Sequence, residues 1–148
     1  MESSKGKLEL IGVLTVVLSL LFVAYEIRQN TNTAAAQAVF ELNEAGRRTL
    51  FLQSTDPGLT TLIILAQNDL DALTDEQRLR YRLWVFAFLN LYESAWNHHQ
   101  RGLINDEDME GWKAHYCGQM SSDSFRREAS FIESHATRFR KEAARWCQ

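Results

Sequence analysis

The chain contains one long uncharged stretch, LIGVLTVVLSLLFVAY, at residues 10–25. A helix needs roughly 20 mostly apolar residues to cross a bilayer, and residues 8–27 reach this length with Glu9 and Glu26 near the two ends. Apolar side chains occupy every face of the segment, whereas a helix that lies in the membrane interface has a polar face. The stretch therefore predicts a transmembrane anchor at residues 8–27, preceded by a short N-terminal tail at residues 1–7.

Two other structures fit an apolar segment of this length. A cleaved signal peptide would use Lys5 and Lys7 as its charged n-region, but the nearest small-residue cleavage motif, Ala34-Ala35-Ala36, lies beyond the charged residues that follow the segment. That distance disfavours cleavage. A buried core helix is the other alternative. An uncleaved anchor is the preferred interpretation, which predicts a single-pass protein of the cell (inner) membrane.

Few charges set the side of the membrane that holds the C-terminal domain. Lys5 and Lys7 precede the apolar segment and Arg28 follows it closely, so the positive-inside rule favours a cytoplasmic N-terminus and an exported domain. The margin is a single charge, and the orientation stays open.

Cys117 and Cys147 lack the spacing of a metal site. They would form one disulfide in an exported domain, but the sequence favours two buried thiols.

The composition of the 148 residues excludes several classes of protein. The 16 Lys and Arg against 19 Asp and Glu give a formal net charge of −3, which disfavours a strongly basic nucleic-acid binder. With 4 Trp, 4 Tyr and 8 Phe, the chain has enough apolar surface to bury, so intrinsic disorder is not expected. One Pro and seven Gly supply few turn signals and argue against an all-β fold. The prediction is an all-α protein.

Local signals after the anchor predict a small bundle of four to five helices at residues 28–148. The polar run at residues 29–33 either lies within one continuous helix or marks the start of a new one. A turn at residues 54–58 places Pro57 at the first position of the following helix. The anchor is therefore expected to run into the bundle with little or no linker.

A strongly apolar helix is predicted at the centre of this domain. The capping box Thr74-Asp75-Glu76-Gln77 opens it, Gly102 suits its C-terminal cap, and it covers about residues 75–101. Residues 83–89 leave no polar face, so we expect other helices to surround it. Acidic residues at 106–108 then favour the start of another helix.

The C-terminal residues carry a heptad pattern. Apolar residues are spaced by steps of four and three, which predicts one amphipathic helix with three heptads of apolar seam. The residues of this seam are Phe125, Ala129, Ile132, Ala136, Phe139, Ala143 and Trp146. We expect the seam to pack on the domain's own core, with a partner-binding seam as the alternative.

One polar cluster on the central helix is the candidate site. Asn90, Glu93 and Asn97 follow one another at steps of three and four and share one face. A glutamate on so apolar a helix needs a partner, and arginines of other helices are the candidates: Arg47, Arg48 and Arg126. A structural polar network is favoured, and a ligand pocket beside Glu93, Asn97 and Trp96 is the alternative.

No catalytic or metal-binding motif accompanies this cluster. The sequence has no phosphate-binding glycine loop, no nucleophile elbow, no C-x-x-C pair and no H-E-x-x-H helix. A Glu-x-x-His pair of the kind that builds di-metal bundles is also missing. We therefore predict no catalytic residue, no cofactor and no metal site, and the protein is not expected to be an enzyme.

Several short motifs resemble a large group of uncharacterised bacterial single-pass membrane proteins. In that group a hydrophobic N-terminal helix is followed by an I-R-Q-N-T sequence, here residues 27–31, and by an Ala-rich helix, here residues 33–36. The similarity extends to Tyr92-Glu93, to residues 101–104 and to Trp112. The resemblance implies a small helical domain of unknown function. It also implies the opposite orientation, since many members carry arginine after the span.

These observations favour a membrane-anchored interaction or accessory (scaffolding) protein. Its expected partners are the lipid bilayer and a protein or a second copy, bound through the anchor or through the Phe125–Trp146 seam, and no nucleic acid. A small-molecule or lipid sensor with a pocket near Glu93 and Asn97 is the alternative. An enzyme that uses Glu93 with a histidine brought in by folding is the third hypothesis.

Overall fold

The computed structural model describes the backbone of residues 2–131 and 135–148 and the side chains of residues 11–131 and 135–148. Every regular element in these residues is helical, so the all-α prediction is confirmed. A single 3-10 turn, Leu70–Ala72, follows the second α-helix. The α-helices are α1 (Glu2–Thr55), α2 (Pro57–Asn68), α3 (Asp75–Gln100), α4 (Asp106–Met120), α5 (Asp123–Ser130) and α6 (Thr137–Trp146).

Helix α1 is continuous over 54 residues, so the polar run at residues 29–33 does not start a new helix. The hydroxyls of Thr31 and Thr33 donate to the carbonyls four residues earlier, at 2.9 and 3.0 Å, and therefore do not cap a helix start. Within α1, the segment Ile11–Thr55 is long and apolar enough to cross a membrane, with a mean hydropathy of 1.9 over its best window and none of that window buried.

The chain divides into two compact units, one ending at Gln37 and the other comprising Ala38–Gln148. In the first unit, the side chains of residues 11–34 are exposed. The second unit holds the last turns of α1 and all the other helices. It is a small helical bundle of the predicted kind.

Local capping fixes the helix boundaries where the sequence placed them. The Asp56 carboxylate accepts two backbone N–H groups of the first turn of α2, and Pro57 is the first residue of that helix. Thr74 and Gln77 form the capping box at the start of α3. Gly102, with φ of 72°, follows the end of α3 in the left-handed conformation that favours glycine.

Helix α3 forms the centre of the bundle core. Eight of its residues are buried: Tyr81, Trp84, Val85, Phe88, Leu89, Tyr92, Ala95 and Trp96. The expectation that other helices surround it on every side is wrong, because Leu83 is 58% exposed. The apolar run is therefore longer than the buried face, and part of it meets solvent.

The C-terminal seam is not one helix, contrary to the prediction. Helix α5 ends at Ser130 and α6 begins at Thr137; Ile132 lies outside the described residues. Phe125, Phe139 and Ala143 are all buried in the bundle core. A heptad pattern does not distinguish one long helix from two short ones that each bury an apolar face, and these seam residues serve the domain's own core.

The two cysteines are bonded to each other, so the expectation of two free thiols is wrong. The Cys117 and Cys147 sulfurs are 2.07 Å apart and close a loop with a sequence separation of 30. The bond ties the second half of α4 to the residue after α6. The spacing along the sequence gave no sign of this pairing, because the approach of α6 to α4 is a tertiary contact.

Candidate functional site

The three residues of the predicted polar face all lie on α3 but differ in burial. Asn90 and Asn97 are exposed, and Glu93 is half-buried with 19% of its side chain accessible. The Glu93 Oε1 atom accepts the backbone N–H of Ala136 at 3.0 Å. Its Oε2 atom lies 2.5 Å from Nδ1 of His135, which is buried. The expected arginine partner is therefore wrong, since the contacts of Glu93 are a histidine and a backbone amide.

The position of Glu93 explains these contacts. Ala136 is the residue that precedes α6, and a carboxylate beside a helix N-terminus stabilises the positive end of the helix dipole. The His135 ring packs between the rings of Phe86 and Phe139, with centroids 5.4 and 5.9 Å away. Glu93 thus joins α3 to the start of α6.

Trp96, the residue expected to form a ligand pocket beside Glu93, is buried in the bundle core. Its ring is buried and packs against Phe139, with centroids 5.9 Å apart. The Arg138 guanidinium covers it at 5.5 Å from the ring centroid. The side chain that was expected to form the wall of a ligand pocket, Trp96, is therefore part of the core and lies under Arg138.

A second buried acid, Glu128, was missed by the sequence. It is fully buried on α5, and its two carboxylate oxygens accept from Nε of Arg78 at 2.7 Å and from Nε of Arg82 at 2.6 Å. A usable signal was present on α3, where two arginines four residues apart share one face of an apolar helix.

An exposed ion pair extends this network. Asp71 accepts from both terminal nitrogens of Arg127, at 2.6 and 3.0 Å, and lies 3.6 Å from Arg78. The hydrogen bonds from Arg127 hold the pKa of Asp71 below its usual value and raise the pKa of Arg127. The network of Arg78, Arg82, Glu128, Asp71 and Arg127 fixes α5 against α3 and the 3-10 turn.

An apolar groove lies elsewhere, between the last turns of α1 and helices α3 and α4. Its volume is about 640 Å³, and all of its lining residues belong to the unit Ala38–Gln148. Most of the lining is apolar: Val39, Leu42, Leu50, Phe88, Leu91, Ile104 and Trp112. Four polar side chains also line it: Asn43, Arg47, Asp108 and His115. This combination is typical of small-molecule sites, where polar groups orient a mainly apolar ligand.

One wall of the groove rests on a buried tyrosine. The Tyr92 hydroxyl lies 2.9 Å from Nδ1 of His115, and this hydrogen bond orients the imidazole. Tyr92 is fully buried, and desolvation raises the pKa of its hydroxyl well above the usual value. The Tyr92 hydroxyl therefore stays protonated over the physiological pH range.

The described residues contain no group of three or more His, Cys, Asp or Glu arranged to hold a metal ion. Comparison of the chain with protein-family models, with curated proteins and with solved structures finds no match.

Proposed function

We propose that the protein is a single-pass membrane protein whose helical domain binds another protein, as an interaction or accessory (scaffolding) module. The observation that carries the proposal is a set of exposed apolar side chains, Leu79, Leu83 and Phe131, which we call the α3 patch. These side chains are 55%, 58% and 63% exposed. The Arg82 guanidinium lies 5.5 Å from the centre of the Phe131 ring, which places Phe131 beside the turns of α3 that carry the two leucines.

Single exposed leucines are common on soluble proteins, but clustered large apolar side chains mark interaction surfaces. Leu79 and Leu83 lie one helical turn apart on the same face of α3. Arginines such as Arg82 at the edge of an apolar patch are frequent at protein interfaces. The α3 patch therefore has the composition of a binding surface rather than of ordinary solvated helix.

Site-specific photo-crosslinking in intact membranes tests this function. A photoreactive amino acid at Leu83 is expected to give a discrete heavier protein species. The matched control is the same amino acid at Asn97, which is also exposed on α3 but lies more than three turns away. Adding Leu79→Ser to the protein that carries the photoreactive amino acid in place of Leu83 should reduce the crosslink. Equal products from both positions, or none from either, would contradict the proposal; a species of twice the chain mass would identify a second copy as the partner.

The same proposal places the helical domain on the exported side of the membrane. Disulfides persist in oxidising compartments, and Cys117 is bonded to Cys147. Lys5 and Lys7 before the apolar segment favour the same orientation. In spheroplasts, an impermeant maleimide should label the protein after treatment with an impermeant reductant and not before it. If labelling required permeabilisation of the membrane but no reductant, the domain would lie on the cytoplasmic side and the proposed orientation would be wrong. The double variant Cys117→Ser, Cys147→Ser controls for background labelling.

A further inference from the structure

The groove between α1, α3 and α4 is open because glycines face it on two helices. A Cβ atom built on Gly111 would meet no heavy atom within 4 Å, and one built on Gly46 would meet Cη2 of Trp112 at 3.8 Å. The lining residues of α1 run from Val39 to Leu50, which corresponds to about 16 Å along a helix. The volume of about 640 Å³ lies within the range of about 300–1,000 Å³ for ligand sites.

The arginine among the lining residues, Arg47, is the candidate partner for an anionic head group. Arg47 lines the groove with 69% of its side chain exposed, and it pairs with Glu44 on its own helix. Arg48 lies 3.8 Å from the same glutamate but does not line the groove. Asp108, in the first turn of α4, is the acid among the lining residues. A guanidinium binds a carboxylate through two parallel hydrogen bonds.

The sequence itself indicates the source of an apolar ligand. Val39, the first lining residue, follows Ile27 at the end of the apolar segment by only twelve positions. A domain tethered this closely to a bilayer meets membrane amphiphiles at high local concentration. We propose that the groove binds one acyl chain with a carboxylate head group, that is, a long-chain fatty acid whose carboxylate pairs with Arg47. This site rests on the proposed membrane anchoring but not on the protein-binding function proposed for the α3 patch.

Tryptophan quenching by a brominated stearic acid tests the site on the full chain in nonionic detergent, because bromine quenches a tryptophan that it contacts. Trp112 lines the groove, while Trp84 and Trp96 are buried in the core. Wild type is expected to show saturable quenching, and Trp112→Phe should lose most of it. Equal quenching in both proteins would show partition of the probe into the micelle and would overturn the proposal.

Two glycines of α4 provide a matched pair of variants. Gly111→Leu places a side chain in the groove, whereas Gly118→Leu places one at a position that does not line it; a Cβ atom at either position meets nothing within 4 Å. Gly111→Leu should weaken probe binding about tenfold, since the leucine displaces contacts worth about two methylenes. Gly118→Leu should bind as wild type does. Equal affinities of the two variants would overturn the proposal, and circular dichroism checks that both are folded.

Two neighbouring arginines test the head group. Arg47→Gln should weaken binding of the brominated acid several-fold and leave binding of its methyl ester unchanged. Arg48 shares Glu44 with Arg47 but does not line the groove, so Arg48→Gln should have no effect on either probe. If wild type bound the ester as tightly as the acid, the carboxylate assignment would be wrong. Failure of these tests leaves the crosslinking result at the α3 patch unaffected, so the two proposals are separable.

Discussion

Replacing Glu128 by glutamine tests the buried charge network with little change in shape. The glutamate is fully buried, and each carboxylate oxygen accepts from one arginine, Arg78 at 2.7 Å and Arg82 at 2.6 Å. In the variant, one oxygen becomes an NH2 group that faces an arginine donor, and the negative charge is lost. One hydrogen bond is then removed and two cations on α3 lose their counter-charge.

The expected loss of stability depends on the burial of Glu128 and on the partial exposure of its two arginine partners. Removing one partner of a buried ion pair costs about 3–5 kcal/mol. The side chains of Arg78 and Arg82 are 30% and 41% exposed, so water solvates both arginines in the variant. We therefore expect the lower end, about 3 kcal/mol in the free energy of unfolding. For a domain of about 110 residues this lowers the melting temperature by roughly 12 °C.

Thermal unfolding of the full chain in nonionic detergent, followed by near-UV circular dichroism, measures this shift. Trp84 packs edge-on against Phe125 of α5 at 5.9 Å between centroids, so the signal reports the contact that Glu128 helps to hold. Glu142→Gln is the control, because Glu142 is 42% exposed and pairs with Arg145 at 3.4 Å. It should shift the midpoint by about 2 °C or less. Equal midpoints for the two variants would refute the reasoning.

Three further predictions use other parts of the bundle. Cys117→Ser should lower the melting temperature by roughly 14 °C, since opening a loop of this length costs about 3.6 kcal/mol. A reductant should shift wild type equally but leave the variant unchanged. Gly102→Ala should lower the free energy of unfolding by about 1 kcal/mol, because Gly102 has a φ of 72°. The control Gly118→Ala, within α4, should not lower it. Urea titrations measure both values. Burial raises the pKa of Tyr81, Tyr92 and Tyr116. Because the pKa of tyrosine in the unfolded chain is about 10, these three residues contribute fully to stability below about pH 10, and the contribution is lost as the pH rises above it. A melting temperature that is constant between about pH 9 and pH 11 would contradict this prediction.

The sequence alone determined the helical class, the apolar segment and the boundaries between α1, α2 and α3. Pro57, the capping box at Thr74 and the glycine at 102 all lie where local rules placed them. The reason is that periodicity, caps and left-handed glycines depend on interactions among residues within about four positions of each other. Such signals are complete in a short window of sequence, so no knowledge of the fold is needed to use them.

The tertiary structure decided which distant groups meet. Glu93 contacts His135 at a sequence separation of 42, and Glu128 contacts Arg78 at a separation of 50. Sequence reasoning expected an arginine for Glu93, and it favoured free thiols where Cys117 and Cys147 are bonded. An apolar face specifies only that it must be buried, not the helix that buries it. The groove beside Gly46 and Gly111 likewise exists because α1 and α4 present small residues at the same place, which depends on how the helices pack.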